Sequence, residues 1–549
     1  MARLPLVPLA IFIATAFALL PDLGGQYVWS KDEARDGLVA RDMVKGGRWL
    51  IPHVGGGIYR YKPPLFHWLV ALSSPRGVTE WSLRLPSVLA AAATVALTYA
   101  MAARLWTPVT GLGAAAILAS SAMFVEWART GRLEMLLTLW LTLGFWSVWR
   151  FLEEGRRRHA LALGLALGLG GLTKGPIGLL PLGALIVALW VSGRWSRRAL
   201  ADAGLALALA LALPVAWLGL AAGTQAGVGE YLKAVSANFV HEVRGHHDRH
   251  VLFAAQAIGL GFLPWTLLLP GALLVLIRTR RTSWRVLLVP LLWVGFILLV
   301  FTVFISPRAV YFLPICPALA ILVTWAWSVC SDAERRWMLY PLVLMAIAGV
   351  VGGLGLAIWP VALESPRYHT VLGRQFGLAI AALAGVTGLG VVAVLRRRRV
   401  DIVPALVGAG TLLAMVVFHV TVYTPRANRS HPTREAAARF TALLPPEAEV
   451  VYVDQKSIAA LLFYMRPRLI QLPRVHNIVN LAEFPERYAL LLHEEMVVLI
   501  WGQCSPPPPL REETLFGSRY VLLSLDGVGP RCEWAPARVT PGGDGPGRP

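Results

Sequence analysis

Apolar runs long enough to cross a bilayer, which takes about 17–25 residues each, recur along this chain as far as residue 423. They lie near 5–21, 84–103, 109–127, 132–150, 159–173, 175–192, 203–222, 252–277, 286–305, 309–329, 338–359, 373–395 and 402–423, about thirteen in all. Several are short or share a break at glycine or proline. Of the 549 residues, 56% are hydrophobic and 15% charged, against roughly 45–50% and about 25% in soluble domains. A soluble core stops growing near about 250–300 residues and cannot absorb this much apolar surface. The chain is therefore a polytopic α-helical membrane protein, and disordered, collagen-like and coiled-coil classes are excluded. The first run, Met1 to Leu20, resembles a signal peptide, but no A-x-A site immediately precedes Pro21, so it is expected to stay as an uncleaved span.

The formal net charge is +20, and its distribution sets an orientation. Arg156 to Arg158 follow the fourth run, Arg194, Arg197 and Arg198 the sixth, and Arg278, Arg280, Arg281 and Arg285 the eighth. Arg335 and Arg336 follow the tenth, and Arg396 to Arg399 the twelfth. Basic residues at every even-numbered exit are the positive-inside pattern, not a nucleic-acid face. The N-terminus is then cytoplasmic. Loop 22–83 and the segment beyond Arg426 then lie on the outer side.

Loop 22–83 is too long and polar for a simple connector. Ser30-Lys31-Asp32-Glu33 reads as a capping box, with Ser30 as N-cap and Glu33 at N3. The helix it opens is expected to run to about Val44 and stop before Gly46-Gly47. Its stripe of Ala34, Leu38, Val39 and Met43 should lie along the membrane surface. A second short helix begins at Pro63 or Pro64, where Leu65, Trp68, Leu69 and Leu72 repeat at helical spacing. Beyond Arg426, helical stretches (433–443 and 455–464) alternate with β-rich runs at Glu449–Val453 and Met496–Ile500. The chain thus divides into a membrane domain, 1–425, and a small α/β domain, 426–549, whose Gly/Pro-rich tail after Pro536 is expected to be disordered.

Polar residues capable of chemistry cluster in the outer loops. Asp32 and Arg35 share a helix face, and the first turn favours an ionised Asp32. Such a carboxylate suits a base or a cation ligand; an ordinary surface ion pair is the alternative. In Tyr59-Arg60-Tyr61-Lys62-Pro63-Pro64, Pro63 holds Lys62 extended beside a helix start, a setting for phosphate or for a lysine snorkelling to headgroups. Arg129, Arg132 and Glu134 begin the fourth run, either as interfacial anchors or as functional charges. Lys174, in Thr173-Lys174-Gly175-Pro176, marks a break between two runs that is either functional or a plain turn. Arg308, in Ser306-Pro307-Arg308, is placed to grip a lipid phosphate, with Tyr311 beside it. His241, His246, His247 and His250, with Glu242 and Asp248, are either divalent-metal ligands or a polar loop. Cys316 and Cys330 have no metal spacing, and Cys504 and Cys532 are the candidates for an extracytoplasmic disulfide.

In order and spacing, these segments resemble the GT-C glycosyltransferases of the bacterial aminoarabinose transferase and protein O-mannosyltransferase superfamily. The marks are Asp32-Glu33-Ala34-Arg35, Tyr61-Lys62-Pro63-Pro64-Leu65, Glu80 to Pro86, Ala128 to Leu133, Leu172 to Pro176, and Ser306 to Pro317. The resemblance implies a GT-C fold with amphipathic helices in the first outer loop. It also implies a polyprenyl-phosphate sugar donor and transfer at the periplasmic face of the bacterial inner membrane. By this likeness Asp32 is the catalytic carboxylate, as base or acceptor-positioning group. Arg35, Lys62, Arg132, Lys174 and Arg308 would hold donor or acceptor phosphate, and Glu33, Tyr59, Tyr61 and Tyr311 would line the substrate pocket. In the aminoarabinose branch an acidic residue commonly precedes the lysine of the Lys-Pro-Pro motif and binds a metal with a loop histidine. This chain has Tyr61 there, which leaves His247 and His250 as candidate ligands of a zinc or magnesium ion. No organic cofactor is implied. The acceptor is left open among lipid A, another envelope glycan or lipid, and protein. A transporter or lipid flippase is the competing class; it calls for paired charges near mid-span, whereas here they gather toward one face.

Overall fold

In a computed structural model of the chain, the described residues are 6–55, 57–59, 61–224, 228–244, 251–304, 308–359, 361–365, 368–372, 374–397, 402–444, 449–453, 459–465, 468–472, 488–493, 509–515 and 518–524. His246, His247, His250, Cys504, Cys532, the 496–500 run and the tail after Pro536 fall outside them, as do the first residues of the stretch expected at 455–464.

Nine helices among the described residues are long and apolar enough to cross a membrane, or ten if a bent pair counts as one span. Two further apolar helices, Leu6–Leu19 and Val251–Gly261, are shorter. Thirteen runs were expected from the sequence. Two of the expected breaks are not loops. The one at Gly175 is a single 3-10 turn, and 278–285 lies within a helix assigned from Leu269 to Leu299. Apolar periodicity marks the runs but not whether a short polar stretch between them unwinds.

The elements that carry the site come early. They are α1 (Leu6–Leu19), α2 (Lys31–Gly46), α3 (Leu65–Leu72), α4 (Glu80–Leu105), α5 (Pro108–Ala119), α6 (Ala122–Ala128), α7 (Leu133–Glu154) and α8 (Arg157–Lys174). α5 and α6 are the bent pair, meeting at 67°. The membrane core is filled by alanine, branched aliphatic and aromatic residues. Phe145 of α7 stacks on Trp293 at 4.6 Å, a pairing worth about 0.5–1.5 kcal/mol beyond its burial. The helices Asp332–Ile358 and Arg374–Arg397 meet through Gly353 and Gly377. A Cβ on either would lie 2.4–2.5 Å from the other's carbonyl, the small-residue packing that lipid favours.

Two expectations for α2 are corrected. Ser30 stands at the N-cap with extended backbone, but its side chain makes no capping bond. The box fails because Glu33 is drawn to the Arg84 guanidinium, and a charge-assisted pair outcompetes a bond to a backbone N–H. Nor does the apolar stripe lie on lipid. Leu38, Val39 and Met43 are buried in a cluster with Ala436, Ala437, Phe440, Leu461 and Leu462. α2 is therefore packed between the membrane helices and the C-terminal segment. Its end falls two residues beyond the expected Val44: the helix takes in Gly46, and Gly47, at φ 64°, closes it by donating its N–H to the Met43 carbonyl.

The C-terminal segment clasps the chain that leads into α2. Asn428 Oδ1 accepts from the Tyr27 N–H (2.7 Å) and its Nδ2 donates to the Gly25 carbonyl (2.8 Å). The Val28 N–H donates to the Tyr464 hydroxyl, and Thr433 Oγ1 donates to the Val28 carbonyl. Arg41 of α2 donates to the Leu462 and Met465 carbonyls. Further on is a five-stranded mixed sheet. Glu449–Val453 pairs in parallel with Arg468–Leu472 on one side and Tyr488–His493 on the other, and Ser518–Ser524 and Pro509–Leu515 continue it antiparallel. Cys316 and Cys330 are buried free thiols.

Candidate active site

The mouths of α4, α7 and α8 and the start of the Ala309–Ile315 turn converge on α2, and Asp32 is where their charges meet. Its position in the first turn of α2 follows from sequence; its partners come from far along the chain. Oδ1 accepts from Arg35 Nη2 (2.7 Å). Oδ2 accepts from both Arg132 Nη1 and Arg308 Nη1, each at 3.1 Å. Asp32 is 9% exposed. Burial by itself opposes its ionisation, but the guanidiniums of Arg132, Arg35 and Arg308 outweigh that and hold the carboxyl below its ordinary value. The Arg308 side chain, 56% exposed, marks the side on which the site opens.

Arg132 links this group to a second carboxylate. Its Nη2 donates to Glu134 Oε1 (3.2 Å), which also accepts from Lys174 Nζ (3.2 Å). Gly175, at φ 68°, lets the chain turn directly after Lys174, where a side chain would be strained. The Lys174 ammonium sits 3.9 Å from the centre of the Tyr311 ring. Lys62 comes within electrostatic reach of Glu134, and its carbonyl accepts from the Tyr231 hydroxyl (3.0 Å). Tyr61 packs its ring 4.4 Å from the Arg35 guanidinium carbon, with Tyr59 behind at 6.0 Å. The structure thus gathers Asp32, Arg35, Tyr59, Tyr61, Lys62, Arg132, Lys174, Arg308 and Tyr311 at one membrane face.

Glu33 is placed otherwise. Its Oε1 accepts from Arg84 Nε and from the Gly131 N–H, both at 2.8 Å, and its Oε2 faces Arg84 Nη2 at 3.3 Å. Arg84 Nη1 donates in turn to the Leu23 and Gln26 carbonyls. Both Glu33 oxygens are thus engaged in a buried clasp between loop and membrane helices, so Glu33 is not a pocket wall. Arg129 serves the same end, donating to the carbonyls of Leu19, Pro21 and Asp22. Sequence reading noted Glu134 only as a charge at a span mouth, and it missed Arg84, Asp36 and His67. The one available signal was that Asp36 follows Asp32 by four residues, on the same helix face.

The described residues do not fit a metal site. The position before Lys62, where a carboxylate ligand would stand, holds an aromatic ring packed on a guanidinium. Among the described residues no group of three His, Cys, Asp or Glu side chains comes together. His247 and His250 lie outside the described residues.

The site's electrostatics set a pH dependence with a definite sign. A carboxyl whose folded value is depressed contributes stability above its unfolded value, about 3.9, and loses it as pH falls through the lower folded value. Thermal unfolding of the solubilised chain and of Asp32→Asn should therefore differ by a constant amount from neutral pH down to about pH 4, converging only below it. Convergence between pH 5 and 7 would show that the guanidiniums do not hold Asp32 ionised.

Against this geometry the relatives are informative. Residues 61–218 match the family model described as dolichyl-phosphate-mannose-protein mannosyltransferase. An undecaprenyl phosphate-alpha-4-amino-4-deoxy-L-arabinose arabinosyl transferase of Pseudomonas aeruginosa is 33% identical over 328 residues, 57% of this chain and 58% of its own length. A second transferase of that name, from Sodalis glossinidius, is 30% identical over 390 residues, 68% of this chain and 70% of its own. The chain belongs to that family. Its fold is that of ArnT from Cupriavidus metallidurans, solved bound to undecaprenyl phosphate. That structure superposes with a TM-score of 0.76 at 21% identity, over 94% of this chain and 99% of the other. The GT-C fold and the multi-pass membrane character read from the sequence are therefore those observed. The aligned stretch covers less than two thirds of the Pseudomonas relative's length.

Proposed function

We propose that this chain transfers a sugar from an undecaprenyl-phosphate-linked donor to an acceptor at the periplasmic face of the bacterial inner membrane, with its N-terminus cytoplasmic and its C-terminal segment periplasmic. The observation that carries this reading is the Asp32 carboxylate held between three guanidiniums at one end of the helical bundle. Around it stand the cations Arg35, Arg132, Lys174 and Arg308 and the carboxylates Asp32, Asp36 and Glu134. These described groups, His67 aside, leave one net positive charge before Lys62 is counted. A glycosyl phosphodiester carries one negative charge, so the site complements such a donor.

In the reaction the bond between the anomeric carbon and the phosphate oxygen breaks, and the lipid phosphate leaves with the electron pair. Fixed guanidiniums in a largely buried site stabilise that departing charge without reorganising. The acceptor oxygen bonds to the anomeric carbon. Asp32 takes the proton of a hydroxyl acceptor, or only orients an acceptor that is already a phosphate anion, as on lipid A. Arg308, the exposed member of the ring, is the group best placed to meet an incoming phosphate first.

The test is mass spectrometry of the cell envelope with and without the gene, together with transfer by the purified chain from an undecaprenyl-phosphate sugar. Loss of a hexose, pentose or amino-sugar increment from one envelope component supports the reading and names the acceptor. An unchanged envelope and no transfer in vitro would remove it.

A further inference from the structure

Behind Asp32 lies a further buried carboxylate that takes no part in the proposed transfer chemistry. Asp36 follows Asp32 by one helical turn, so both face the same neighbours. It is 3% exposed. Its Oδ1 accepts from the Tyr59 hydroxyl (3.2 Å) and from His67 Nε2 (3.1 Å). Tyr59 and His67 are themselves in edge contact, ring centres 5.2 Å apart. Burial pushes the Tyr59 phenol well above its ordinary range, which keeps it a donor. Two donors on one oxygen fix the carboxylate plane and leave Oδ2 turned to Arg132, 3.9 Å from Nε.

That contact completes a pattern around one guanidinium. Arg132 meets Asp32 through Nη1, Glu134 through Nη2, and Asp36 along its Nε edge. The last separation is too long for a hydrogen bond, and Arg132 Nε has no hydrogen-bond partner among the described residues. The interaction is therefore one of charge, strengthened because both groups are removed from water. Two of the three partners face tasks that draw them away: Asp32 must meet the acceptor, and Glu134 is shared with Lys174. Asp36, pinned by Tyr59 and His67, holds Arg132 by charge independently of substrate, and the Trp127 ring, 5.7 Å from the guanidinium carbon, adds an aromatic contact on the same side chain.

We propose that Asp36 is a positioning residue, which keeps the Arg132 guanidinium in place as Asp32 turns to the acceptor, and that Tyr59 and His67 serve by orienting Asp36. This rests on the transferase reading and deepens it by giving the cationic cluster an internal support. Misplacing a catalytic group by about 1 Å costs on the order of 10²-fold, so Asp36→Asn should lower kcat by about 10- to 100-fold. The substitution removes a negative charge from a site that binds an anion, so KM for the donor should not rise. Asp36→Glu should restore part of kcat.

The deciding experiment is a double-mutant cycle between Asp36→Asn and Arg132→Lys, read on transfer. If Asp36 acts through Arg132, the double variant is no slower than Arg132→Lys alone. Additive losses, or wild-type kcat in Asp36→Asn, would overturn the proposal. So would a drop explained wholly by less folded protein, with Asp36→Glu no better than Asp36→Asn. The same cycle is read on thermal stabilisation by undecaprenyl phosphate, which requires no turnover. If the unmodified chain transfers nothing but the cycle still couples, the transferase reading fails and Asp36 stands. If transfer is normal and the cycle is additive, the reverse holds.

Discussion

Asp32→Asn is expected to reduce transfer by about 10²- to 10⁴-fold, the range over which a positioned acid–base group acts, while folded yield in detergent stays near that of the parent chain. Asparagine has the same shape but carries no charge and takes no proton. The fold should tolerate it because each cation keeps another contact. Arg132 retains Glu134, Arg35 retains the Tyr61 ring, and the exposed Arg308 returns to water. The measurement is transfer rate per folded molecule, with size-exclusion behaviour and thermal unfolding as controls. A variant with the parent's rate would remove Asp32 from the chemistry. One that fails to fold would mean that the carboxylate's role is structural.

Glu33→Ala, one residue away, should behave in the opposite manner. Arg84 is 1% exposed, and Glu33 is its carboxylate partner. Removing one member of a buried pair leaves the other's charge uncompensated, at a cost of about 3–5 kcal/mol. Expected results are a steep fall in folded yield and in thermal stability. The molecules that do fold should keep a rate within a few-fold of the parent's. A well-folded Glu33→Ala that has lost transfer would restore Glu33 to the substrate pocket, against its geometry here. Neighbouring acids thus separate catalysis from assembly, since one opens toward solvent through Arg308 and the other is enclosed.

What could be read from the chain without coordinates was whatever lies within a turn or a span. The membrane class followed from apolar runs, and the helix carrying Asp32 and Arg35 from its local pattern and its Gly47 stop. That pair, three residues apart, needed only helical geometry, and it is observed at 2.7 Å. Basic connectors further indicated that the outer-loop charges would share a face. The short helix after Lys62-Pro63-Pro64 was legible for the same reason, because proline restricts the backbone locally.

Tertiary packing decided the rest. Arg132 and Arg308 reach Asp32 from 100 and 276 residues along the chain. Glu33 left its cap for Arg84, 51 residues away, and Asp36 found Tyr59, His67 and Arg132. The physical reason is that a helix's period and stops are set by backbone torsions and neighbouring side chains, whose energies are local. A carboxylate's choice of partner is set by which cations share its burial, and desolvation makes that choice decisive only once distant helices have closed around it.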